Sequence, residues 1–90
     1  MANKRILKRT INNVCEVLFA ECIAASMYST KADETSVQSL LTSILVLNDD
    51  YIRRVSHPEP GLAPKAYYQH LKQSFGKETL EIVDQIANLG

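Results

Sequence analysis

Several things that would announce a function are missing from this chain. It has only two cysteines, and its ten basic and ten acidic side chains cancel to a formal net charge of zero. Cys15 and Cys22 are seven residues apart on a predicted helix, which sets them roughly 10 Å apart along its axis, beyond disulfide reach. There is no CxxC pair and no Cys/His spacing suited to zinc. Two free, buried thiols fit a reducing compartment. A neutral chain is not a general nucleic-acid binder, and any such role needs a local basic patch. The longest apolar run is too short to span a bilayer and contains Glu16 and Glu21, so no membrane partner is expected. The same two glutamates argue against reading the basic opening and the run after it as a signal peptide. We read the chain as soluble and cytoplasmic. It carries no phosphate-cradling glycine loop, no nucleophile elbow and no metal motif, and no cofactor is expected.

What is present is helical periodicity. Ninety residues make one domain, 1–90. The expected fold is all-α, an up-down-up bundle of three long helices. Leu7, Ile11, Val14, Leu18, Cys22 and Ala25 form one stripe on a helix from about Lys4 to Ser29. A second helix, from about Asp33 to Val55, can be capped by Thr30 or Asp33. Its Val37, Leu41, Ile44, Tyr51 and Val55 fit a 4-3-4-3 seam whose missing member is Asn48. Ser56 to Pro64 is a loop stiffened by three prolines. A third helix starts at Pro64 and keeps Tyr68, Leu71, Phe75, Ile82, Ile86 and Leu89 in phase.

Gly76 interrupts that third stripe and invites a kink or split. The ten residues Phe75-Gly76-Lys77-Glu78-Thr79-Leu80-Glu81-Ile82-Val83-Asp84 resemble a short helical segment in the HD-type hydrolase domain of alarmone synthetase/hydrolase proteins. That family's metal-binding His-Asp pair has no counterpart here, since His57 is followed by Pro58 and His70 by Leu71. The resemblance implies nothing beyond a break at Gly76.

The most telling stretch is residues 14–28, whose clearly polar side chains are only Glu16, Glu21 and Ser26. A helix that is apolar almost all round is a buried helix. Three helices in a chain of this length cannot enclose one of them on every side. A second chain is therefore expected to cover part of it, through Phe19, Ile23 and Cys15 or Val17. The expected partner is a copy of the same chain in a twofold dimer, with an unidentified protein as the other possibility.

Glu21 and Asn48 are expected to be buried polar groups. A buried Asn in a seam is a known device for register and oligomer state. A buried Glu21 needs a partner or a raised pKa. As a general base or metal ligand it lacks a second carboxylate or His at ligand spacing, and no Ser-His-acid or Cys-His arrangement is legible. His57 and Glu59 on the proline loop read as parts of a tight helix connection. Tyr67, Tyr68 and His70 read as core or interface anchors.

The basic residues carry the alternative. Lys4, Arg5, Lys8 and Arg9 crowd the first turns of helix one, against its dipole. In an up-down-up bundle Arg53, Arg54, His57 and Lys65 join them, partly offset by Asp49, Asp50 and Glu59, while Asp33 and Glu34 collect at the opposite end, joined by Glu78, Glu81 and Asp84 if the third helix runs straight. The leading expectation is a non-catalytic interaction or assembly module that self-associates through helix one. The alternative is an anion- or nucleic-acid-binding module at the basic pole.

Overall fold

The computed structural model describes residues 4–29, 33–57, 60–61 and 63–89. Among these residues there are three helices and no strand: α1 (Lys4–Tyr28), α2 (Glu34–Ser56) and α3 (Pro64–Ala87). All three pack on one another as a three-helix bundle. The bundle is elongated, 48 × 19 × 15 Å, with a radius of gyration of 14.8 Å. A compact domain of this length has a radius of about 12 Å. A slender body has little interior, so each helix buries one side only.

The buried side of α1 is Ile11, Cys15, Leu18 and Cys22, spaced 4-3-4. From α2 come Leu40, Ile44, Leu47, Tyr51 and Val55. From α3 come Tyr68, Leu71, Phe75, Ile82 and Ile86. Tyr51 and Phe75 meet edge-to-face at 5.1 Å near the middle. The expected seam on α2 is widened. Leu40 and Leu47 are in the core, whereas Val37 and Leu41 pack against its border. The cause is geometric: a helix with two neighbours buries a broader arc than the two-residue seam of a two-stranded coiled coil.

α3 does not split at Gly76, contrary to the break expected there. The stripe on either side of Gly76 is in phase, and packing of Phe75 and Ile82 outweighs the roughly 1 kcal/mol that a helical glycine forfeits relative to alanine. The Thr79 hydroxyl donates back across Gly76 to the Phe75 carbonyl at 2.7 Å.

The helix ends follow local chemistry. Pro64 takes the first position of α3, after the extended Ala63. Asp33 precedes α2 in extended conformation, but its side chain makes no hydrogen bond to the helix backbone. It accepts instead from the Ser36 hydroxyl at 3.3 Å. The other capping candidate, Thr30, lies outside the described residues.

The end of α2 is held from α3. Tyr67 Oη donates to the Arg54 carbonyl at 2.9 Å, and Tyr68 Oη donates to the Val55 carbonyl at 3.2 Å. The two rings stack edge-on at 5.4 Å. Helix C-terminal carbonyls have no partner within the helix. These two hydroxyls satisfy two of them and fix the antiparallel register of α2 and α3. Tyr68 is buried, so Tyr68→Phe leaves the Val55 carbonyl short of its donor. We expect a loss of about 1–2 kcal/mol in denaturant unfolding, with the helical content unchanged.

Candidate interaction surface

α1 packs against both α2 and α3, yet both of its flanks are open. On the α3 side a groove of about 1010 Å³ runs between the helices, lined by Ile6, Leu7, Val14, Leu71, Phe75 and Leu80 among others. On the α2 side a smaller one, about 390 Å³, is lined by Phe19, Ile23, Ile44 and Leu45 around Asn48. Nine large apolar side chains are exposed among the described residues, and five belong to α1: Ile6, Val17, Ile23, Met27 and Tyr28. Met27 and Tyr28 are 80% and 89% exposed, which leaves them almost without contacts at the end of the helix.

The four side chains expected at an interface divide. Val17 and Ile23 are exposed and Phe19 is half-buried. Cys15 is not on the surface: it is 5% exposed and belongs to the bundle core. It lies seven residues from Cys22 on the same inward arc, and that arc faces both neighbouring helices rather than one. Burial pushes the thiols of Cys15 and Cys22 up from their ordinary range, and both are free. They are therefore poor nucleophiles in the folded chain.

Glu21 also departs from expectation. It is exposed, not buried. It lies on the side of α1 that carries Val14 and Tyr28.

Asn48 follows the expectation more closely. It is half-buried, and its side-chain Oδ1 is fully enclosed with no hydrogen-bond partner in the protomer. Its neighbours in the groove include Asn12, Cys15, Glu16 and Phe19. An enclosed acceptor without a donor costs roughly 1–3 kcal/mol. Asn48→Leu should therefore raise the unfolding free energy of the protomer by about 1 kcal/mol, read from the denaturant midpoint at unchanged slope.

At the basic pole, Lys4, Arg5 and Arg9 are exposed on the first turns of α1 and Lys8 is half-buried. No acidic residue stands in that first turn. Arg53 and Arg54 close α2, and His57 is its exposed C-cap, with its backbone N–H donating to the Arg53 carbonyl at 2.9 Å. Both arginines have local partners. Arg53 holds Asp49 and Arg54 holds Asp50, each at 2.9 Å and one turn apart. The Arg54 guanidinium also lies 4.7 Å from the Tyr51 ring centroid. These pairs are solvent-exposed and add little stability, but they consume positive charge that the pole would offer a ligand. Glu59 lies outside the described residues.

No three His, Cys, Asp or Glu side chains come together to hold a metal ion among the described residues. No described helix is long and apolar enough to cross a membrane. No protein-family model, curated protein or solved structure matches the chain.

Tyr51 is the strongest electrostatic outlier. Its pKa is pushed up to about 12, first by burial, then by the hydrogen bond to Glu78 and the charge of that carboxylate, with Asp50 adding and Arg54 subtracting. A raised folded-state pKa favours the protonated phenol. Its stabilising contribution is complete below the unfolded value near 10 and is lost as pH climbs from there towards 12. Alkaline unfolding should therefore be steep in that window. Tyr51→Phe should flatten it by an amount on the order of 2 kcal/mol between pH 9 and 12, measured by urea titration at each pH.

Proposed function

We propose that this protein is a small, non-catalytic helical assembly module that self-associates through α1 as a twofold dimer. The observation that carries this reading is the exposure of Ile6, Val17, Ile23, Met27 and Tyr28 on a single helix of a small bundle. Scattered apolar side chains on a surface are ordinary; five on one helix, beside two open apolar grooves, form the kind of patch that marks an interaction site. The slender bundle supports the same reading, since association is a usual route by which a small domain gains a sufficient core. Two free, buried thiols suit a cytoplasmic protein.

The alternative, an anion- or nucleic-acid-binding module at Lys4, Arg5, Lys8, Arg9, Arg53, Arg54 and His57, draws less support. Arg53 and Arg54 each hold an aspartate one turn back.

The expected mass in solution, by size exclusion with light scattering, is that of two chains. It should change little between low and high salt, because apolar burial is not screened. A single-chain mass at every concentration and salt would sink self-association and leave the open face to a different protein.

A further inference from the structure

The outward arc of α1, opposite its core residues, has its own periodicity. Ile6, Thr10, Asn13, Val17, Ala20 and Ala24 are all exposed and are spaced 4-3-4-3-4. Met27 extends the series by three. That is the spacing of a two-stranded helical seam. On α2 the exposed residues Gln38, Thr42, Asp49 and Arg53 are interrupted by Leu45 and Val46, and on α3 Lys77, Glu81 and Asp84 are interrupted by Leu80 and Val83. The arc of α1 is instead apolar or small along more than five turns, with Asn13 as its one amide.

Charge on α1 is sorted along its length. Lys4, Arg5, Lys8 and Arg9 occupy its beginning, and its carboxylates, Glu16 and Glu21, occupy its second half. Arg9 and Glu16 are seven residues apart and flank the seam on the same side, with Asn13 between them. Parallel pairing of two such helices gathers the basic first turns of both at one end. Antiparallel pairing about Asn13 sets Arg9 of one protomer against Glu16 of the other, twice, and opposes the helix dipoles.

Resting on the self-association reading above, we infer that the partner is a second copy of this chain, seated with its α1 antiparallel to this one along the Ile6–Ala24 seam and the twofold axis at Asn13. The two Asn13 amides meet on the axis, where they bond to each other. A shift of one heptad leaves each amide facing an apolar side chain, so the pair fixes register. Small residues at Ala20 and Ala24 let the helix axes approach closely. The seam runs over about 27 Å from Ile6 to Ala24. It borders the groove between α1 and α3, so Leu80, 70% exposed, closes over the partner's helix from the side. Through Glu16 and Ala20 the seam also borders the α2-side groove.

The test uses the full chain, its mass and concentration dependence read by light scattering and sedimentation, with helical content and melting checked for each variant. Val17 faces solvent in the protomer, so Val17→Lys leaves the bundle folded. It puts a cation into the seam beside the partner's Arg9 and should raise the dimer dissociation constant at least about tenfold. Val46→Lys, at an exposed position in the groove between α2 and α3, should leave it unchanged. Arg9→Glu should weaken the dimer by juxtaposing like charges, and Arg9→Glu with Glu16→Arg should restore it. A dimer indifferent to Val17→Lys but lost with Val46→Lys overturns the inferred face while self-association stands. A dimer that the double exchange fails to restore overturns the antiparallel register. A wild-type chain that never dimerises overturns both.

Discussion

Burying Ile11, Cys15, Leu18 and Cys22 against two neighbouring helices occupies one side of α1 and leaves its opposite side largely apolar and uncovered. The rest of the structure follows from that constraint. α2 and α3 must both reach the same inward arc, so their core stripes are broad. The bundle stays thin, because three helices have only one common interior. The flanks of α1 gape, since neither neighbour is wide enough to cover them.

Polar groups fix how the helices are aligned, and apolar groups hold them together. The Tyr67 and Tyr68 hydroxyls catch the last carbonyls of α2 and set its alignment with α3. The tyrosine at the centre of the core, Tyr51, has a polar end that reaches Glu78 on α3. Asn48 has no such partner within the protomer, and its enclosed oxygen is a stability loss that packing elsewhere absorbs. Arg53 and Arg54 spend their charge on Asp49 and Asp50, so the basic character of that end of the bundle rests mainly on the first turns of α1.

Much of the fold was legible because the apolar periodicity is strong. The buried residues of α3 are those its stripe names, and the starts and stops fall where Pro64 and the loop prolines require. Gly76 misled, since local glycine chemistry signals a break whereas an in-phase stripe on both sides outweighs it. Leu40 and Leu47 escaped because a two-neighbour helix was read with a one-neighbour seam. The surface was harder to read. An over-apolar α1 was evident, but its inward and outward arcs both carry helical spacing, and sequence alone does not say which is which. Cys15 was consequently placed outside and Glu21 inside, the reverse of where they lie. The outward seam through Asn13 became visible only once the inward one was assigned. The tyrosine hydroxyl contacts left no sequence signal beyond two adjacent aromatics after a proline.

The proposed antiparallel pairing of α1 with its copy is most directly tested by interprotomer distances between spin labels at two exposed positions, 12 and 27, which leave Asn13 in place. The account predicts a separation under about 20 Å at position 12 and about 40 Å at position 27, because 14 residues lie between position 27 and the axis on each chain. Short distances at both positions would mean parallel helices and would contradict it.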